Sequence, residues 1–344
     1  MKMNLYVLAL ASSLVAMTIS CTKAEEKADE ENKIIATEDS QVKEVWIDAD
    51  LAVGMMRYHR PGYSDVDDGY AILQLMKSPK VHINGISAVF GNTKIDDAFR
   101  LCQKMSAEFA TYEIPVFKGA GEAINLTDVK TNDGVEAMAA ALKQKKMVIA
   151  AIGPATNVGL LLLKYPELKD QIIEVVLVAG RRKPTDYFNI GTMGARAKDL
   201  NFDLDNTAFR IMLENKVNVT LCPFEISSKV WIKSKDLDIL ATGGAGNKWL
   251  SEASKPWLAQ WVSQGAEGFN PFDVLASHYI IAPNEIVFED RNARLEIHAD
   301  DTVKENEKAV FKSYLLCDEG EGAKVKYCYD VVDNYNELLL ESLK

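Results

Sequence analysis

From Val45 onward the sequence alternates apolar runs of strand length with helical patterns, and no other feature restricts its fold as strongly. VWIDAD reads as a buried strand and DDGYAILQLM as the helix after it. HINGISAVF and the amphipathic DDAFRLCQKMSAEFA come next, then IPVF, GVEAMAAALKQ, MVIAAI and a helix opened by Pro154, PATNVGLLLLKY. EVVLVAG, NTAFRIMLE and VNVTLCP extend the series. Strands that are apolar throughout are covered on both faces. The alternation therefore predicts an α/β fold, an open, mostly parallel sheet with helices on both faces. Further on, residues 234–282 read as helical, with Trp249, Trp257 and Trp261 spaced for one apolar face and expected in the core. IVFED, ARLEIHA and KAVFKSYLL read as strands, and DVVDNYNELLLESL as a closing helix. No repeat and no linker interrupts this stretch, so residues 45–344 are expected to form one domain. A hydrophobic content of 48% is enough to build its core.

The segment ahead of that domain has a different logic. Lys2 precedes LYVLALASSLVAMTIS, which ends at Cys21. The run is too short and too rich in serine for a membrane span and reads as a secretory leader. TISC resembles a bacterial lipobox, with Thr18 where Leu is usual. Residues 1–21 are then a signal peptide, and Cys21 is the lipidated first residue of the mature chain. Residues 22–44 carry eight acids against four lysines and almost nothing apolar. They are expected to be a solvated, disordered tether. The expectation is an exported bacterial lipoprotein, held to the membrane by its lipid alone, in the periplasm or at the cell surface.

Charge narrows the partners. The formal net charge of −11 would repel a nucleic-acid polymer and suits a small neutral or cationic ligand, or a metal. The acids are also concentrated. Asp48, Asp50, Asp65, Asp67 and Asp68 flank residues 51–64, LAVGMMRYHRPGYS. Asp50 ends a strand, where open parallel sheets bind ligands. Asp67 and Asp68 begin a helix, whose positive end favours anions. Helix capping alone accounts for that pair but not for the acids ending the strand. Together they suggest a hard divalent cation held by oxygens, with Ca²⁺ and Mg²⁺ both open on this ground. A DxD also occurs in Mg²⁺-dependent phosphatases, and DADLAV can imitate their first motif, but an Asp-Asp pair opening the next helix is foreign to them. Four more cysteines, Cys102, Cys222, Cys317 and Cys328, have no CxxC spacing, which argues against zinc. Cys317 and Cys328 flank DEGEGAK and could pair across a hairpin.

DAD followed by DVDDGYAIL resembles the signature of the inosine–uridine-preferring nucleoside hydrolase family. AVFGNT at 88–93, IAAIGPATNVGLLLL at 149–163, EVVLVAGR, DLNFDLDNTAFRIML and PFDVLASHYIIAP resemble later family segments, in the same order, over residues 44–284. The resemblance implies a Rossmann-like core, one bound Ca²⁺, with Mg²⁺ the lesser candidate, and hydrolysis of the N-glycosidic bond of ribonucleosides. It implies Asp50 as metal ligand and as the base that takes a proton from water. Asp68, Asp273 and the Ile152 carbonyl would be the other protein ligands. Asp67 and Asn201 would hold ribose hydroxyls, with Asn92 and Asp199 nearby. Asp48 and Asn157 are expected to be structural. Homo-oligomers and a role in purine or pyrimidine salvage are also implied.

Two departures stand out. Residues 51–64 replace a short Gly loop, and Arg57, Tyr58, His59, Arg60 and Tyr63 could hang over the sugar or base. Phe272 stands where many family members have a His that protonates the leaving base. His59 is a candidate substitute, whereas His278 is expected to pack within its helix. The competing expectations are a binding lipoprotein that captures nucleosides without turnover and the phosphatase using DADLAV.

Overall fold

Strand order is what gives this molecule a crevice. The computed structural model describes residues 42–194, 196–303 and 310–344. Its strands are β1 (Lys43–Ala49), β2 (Val81–Ala88), β3 (Val116–Lys118), β4 (Met147–Ala151), β5 (Ile172–Leu177), β6 (Phe188–Asn189), β7 (Arg196–Ala197), β8 (Val219–Leu221), β9 (Ile286–Ala299), β10 (Phe311–Asp318) and β11 (Ala323–Val331). Nine of them form one sheet in the order β10-β9-β11-β8-β5-β4-β1-β2-β3, and β6 and β7 pair separately. From β3 to β11 every pairing is parallel, while β9 and β10 add an antiparallel edge. The chain builds outward from β1 in both directions, to β2 on one side and to β4 on the other. Connections leaving opposite ways open a gap at the carboxyl ends of β1 and β4, where α/β folds bind ligands.

Both faces of the sheet are covered, as the unbroken apolar strands require. Val45, Ile47 and Ala49 of β1 point into one core with Tyr70, Leu73, Leu101 and Val274 from the flanking helices. Trp46 points into the other, with Met138, Leu161 and Phe209. β4 splits the same way, Val148 and Ala150 to one side, Ile149 and Ala151 to the other. That is the two-residue period of a strand with no solvent face. Trp257 and Trp261 are buried in the first core and Trp249 packs against it, as their spacing suggests.

The C-terminal edge departs from the expectation. IVFED and ARLEIHA are parts of one strand, β9. Its polar Arg291 and Asn292 resemble a turn in sequence but lie within the ladder. AKVKYCYDV is a strand, β11, so the closing helix begins only at Tyr335. DEGEGAK does not close a hairpin, because β9 lies between β10 and β11. Cys317 faces Ala293 and Cys328 faces Phe288 on opposite sides of β9, which rules out the suggested disulfide. The four cysteines among the described residues are free and buried. No helix among those residues is long and apolar enough to cross a membrane. Cys21, the leader and most of the tether fall outside the described residues.

Candidate active site

Asp50 is the first residue past β1 and Ile152 the first past β4, so the gap is lined from both sides by chain leaving the sheet. Main-chain bonds fix these ends: Ile152 N–H donates to Asp48 O at 2.9 Å and Val89 N–H to Ala49 O at 2.9 Å. The GPATN junction turns sharply, with Ala155 in the left-handed region at φ 60°. A non-glycine residue there carries strain that tight packing must hold.

The acids converge on this gap from three places. Asp50 comes from the end of β1. Asp67 and Asp68 open the helix Asp67–Lys77, and Asp273 lies in the first turn of the helix Phe272–Ile281. Two helix N-termini thus face the same acids, and their positive ends partly offset the negative charge. Asp67 Oδ2 accepts from the Asp273 N–H at 3.0 Å, which ties the two helix starts together. Asp50 Oδ2 accepts from the Asn92 N–H at 2.7 Å. The turn that delivers this bond needs Gly91, since a Cβ there would lie 1.9 Å from Asp50 Oδ2.

Burial and crowding raise the whole group. Desolvation, with Asp67 and Asp48 nearby, lifts Asp50 to about 7. Burial lifts Asp67 to about 6 despite its bonds to backbone N–H groups. Asp68 and Asp273 are pushed well above the ordinary carboxylate range by burial and then by the other acids. Asp65 behaves the same way, facing Asp67 and Asp50, with Arg57 opposing the rise. Asp65 was not singled out as a site residue from sequence. Its signal was the DVDD spacing, whose first acid looks like loop until the hairpin before it folds back.

The decisive feature is what these acids lack. Both carboxylate oxygens of Asp68, Oδ1 of Asp50 and Oδ1 of Asp65 are buried with no hydrogen-bond partner. Buried polar groups are ordinarily satisfied, and each orphan costs about 1–3 kcal/mol, more for a charge. A cation held by oxygens is the chemistry that satisfies all of them at once. Among the described residues no group of three His, Cys, Asp or Glu side chains is already set as a metal centre. The cluster is a charged neighbourhood, not a finished coordination sphere.

Other expected residues take definite places. The Ile152 carbonyl accepts from Asn201 Nδ2 at 3.1 Å, and the same nitrogen reaches Val178 O at 3.3 Å. Asn201 therefore clamps the chain after β4 to the chain after β5, and its N–H groups are occupied by protein. Asn92 contributes its backbone N–H to Asp50, and its side chain lies near enough to Asp65 to oppose the rise of that acid. Asp199 Oδ2 accepts from Gly180 N–H at 2.8 Å; burial lifts it to about 6, and its charged neighbours are Arg181, Asp203 and Lys312 rather than the five acids. Asp48 and Asn157 are structural: Asn157 Nδ2 donates to Asp48 Oδ1 at 2.7 Å, and Asn157 Oδ1 accepts from Ala120 N–H at 2.9 Å and Asn132 Nδ2 at 3.1 Å. Asp48 is held by side chains, Asn157 and Ser87, not by loop backbone. His278 packs between Gln74 and Glu285 as expected.

The insertion is a hairpin. Arg57 N–H donates to Gly62 O and Ser64 N–H to Met55 O, both at 2.9 Å. Ser64 Oγ holds Asn92 O at 2.9 Å, and Tyr63 N–H donates to Gln260 Oε1 at 3.0 Å. Arg57 lies over the Trp257 ring at 5.2 Å. Phe272 packs edge-on against Phe188 at 5.7 Å and beside Trp261 at 6.1 Å.

A doubly covered parallel sheet with acids gathered at its switch point defines an α/β protein of the doubly wound, ligand-binding kind. The family profile of the inosine-uridine preferring nucleoside hydrolases matches residues 45–335, and the chain belongs to that family. Pyrimidine-specific ribonucleoside hydrolase RihA of Citrobacter koseri is 27% identical over 53% of this chain, a match spanning 64% of that relative's length. Uridine nucleosidase 1 of Arabidopsis thaliana is 23% identical over 67% of this chain and 75% of its own. The fold matches a purine-preferring ribonucleoside hydrolase from Gardnerella vaginalis at a TM-score of 0.66 and 18% identity, over 88% of this chain and 98% of that one. A nucleoside hydrolase from Bacillus anthracis matches at 0.65 and 16%, with the same coverage.

Proposed function

We propose that this protein hydrolyses the N-glycosidic bond of ribonucleosides, giving ribose and free base, with Ca²⁺ as its cofactor. One observation carries the reading: unpartnered, buried carboxylate oxygens gathered at the switch point of a nucleoside hydrolase fold. Asp50, Asp68, Asp273 and the Ile152 carbonyl would hold the ion, with Asp65 among the buried acids around them. Ca²⁺ takes six to eight oxygens, so when bound it can share protein, water and the ribose diol and make that water easier to deprotonate.

The remaining work falls to the chain. Asp50 takes the proton of the attacking water as the general base. Asp67 and Asn92 border the acids and would hold the ribose hydroxyls. Asn201 acts mainly by aiming the Ile152 carbonyl, and Asp199 by supporting the turn after β5. Cleavage develops positive charge on the ribose, as in other glycosidic cleavages. A floor of carboxylates in a water-poor gap stabilises that charge more than it does the neutral substrate.

The test is base release from a nucleoside panel with and without chelator. Turnover that chelation abolishes and Ca²⁺ restores supports the reading. Tight nucleoside binding without turnover would make the protein a receptor instead, and phosphate release from a monoester would make it a phosphatase. Export as a lipoprotein anchored through Cys21, with the domain beginning near residue 45, is part of the same proposal. Incorporation of labelled palmitate that Cys21→Ala abolishes is its check.

A further inference from the structure

The acids can generate the nucleophile and stabilise the sugar, but the base must also leave. A departing base carries excess electron density on nitrogen unless a proton or hydrogen bond meets it. Phe272, beside Asp273, has none to give, and its ring is committed to Phe188 and Trp261. The hairpin over the gap offers such a group. Tyr58 sits at its tip and is 41% exposed, although the hairpin is pinned on both sides by Ser64 and Tyr63. Its hydroxyl reaches Gly91 O at 3.5 Å, the residue whose closeness to Asp50 forbids a side chain. A contact that long for an O–H donor is weak, so the proton remains available. The neighbouring His59 ring lies tilted beside it, centroids 3.6 Å apart, and Lys94 lies 5.9 Å from its centroid.

We propose that Tyr58 is the leaving-group acid of this protein, brought over the acid cluster by the hairpin of residues 55–64. The inference rests on the hydrolase reading. In the step, the C1′–N bond breaks and its electron pair moves onto the base. Water adds its oxygen to C1′ and gives one proton to Asp50, while Tyr58 gives its phenolic proton to the base. Asp50 then releases its proton to solvent and the phenolate takes one back, so both groups end as they began. His59 lies tilted beside the ring and transfers nothing.

The experiment compares two leaving groups on the Ca²⁺-loaded protein. Inosine and uridine need help to leave, whereas p-nitrophenyl β-D-ribofuranoside releases a phenolate that is stable without it. Tyr58→Phe should lower kcat on the nucleosides by about 10²-fold or more. It should leave p-nitrophenyl riboside turnover within about threefold, which also shows the variant is folded. His59→Ala should change neither appreciably. Equal loss on both substrates, no loss on either, or the selective loss appearing in His59→Ala instead would each overturn the assignment. Wild-type protein that cleaves neither substrate would remove the hydrolase reading itself, and this step with it.

Discussion

The floor of the gap and the cap above it are built on opposite principles. The floor is buried, charged and under-satisfied: Asp50 and Asp68 are fully buried, with three orphaned oxygens between them, and their positions follow from strand ends and helix starts. The cap is a hairpin whose tip is exposed, held by a few bonds to side chains and loop backbone. Rigid elements position groups that must meet within fractions of an ångström, whereas a loop can vary without disturbing the core. The floor should therefore decide whether reaction occurs at all, and the cap which base leaves and how fast.

Changes in the floor should dominate. Asp50→Asn is expected to lower base release by about 10³-fold or more with the circular dichroism spectrum unchanged. Gly91→Ala comes next. Its new Cβ collides with Asp50 Oδ2, and a shift of that size should cost on the order of 10²-fold in kcat/KM. Asn157→Ala separates support from chemistry. It strips Asp48 of a buried donor and releases the loop at Ala120, so it should destabilise the fold by about 3 kcal/mol in a urea titration.

The acids also set a pH dependence that metal should remove. In chelated protein the folded-state pKa of Asp50 is raised to about 7 and those of Asp48 and Asp67 to about 6. A raised carboxyl pKa means the folded chain holds more protons than the unfolded one. Its stabilising effect is complete below the ordinary carboxylate pKa and is lost as pH rises through the folded values. Metal-free protein should thus lose a few kcal/mol of stability between about pH 4 and 7, read from urea midpoints across that range. Saturating Ca²⁺ should flatten or reverse the slope. The smallest effect belongs to the cap: Gln260→Ala frees the Tyr63 N–H and should raise KM by only a few-fold.

Legibility in the sequence divides along the same line. The floor could be read because each acid adjoins a signal of local structure. VWIDAD marks a strand end, DDGYAIL a helix start, and PFDVLA another. The mostly parallel sheet covered on both faces followed from the strand–helix alternation, but the order of its strands did not. The roles of Asn201 and Asp199 could not, because which carbonyl or amide a side chain meets depends on contacts between the chain after β4 and the chain after β5. Asp65 is hidden by the hairpin that carries it inward, whereas Tyr58 is legible as one of five insertion residues that could reach the sugar or base, with no periodic pattern to single it out. At the far edge, β11 reads as the partner of β10 in a hairpin because its true neighbours, β8 and β9, are distant in sequence.

The central claim is that Asp50, Asp68 and Asp273 share one cation. A crystal structure of the protein grown with Ca²⁺ tests it most directly. The expected result is a single ion per chain, about 2.3–2.6 Å from oxygens of all three side chains and of the Ile152 carbonyl. An ion bound elsewhere, or none among these acids at saturating Ca²⁺, would contradict the account.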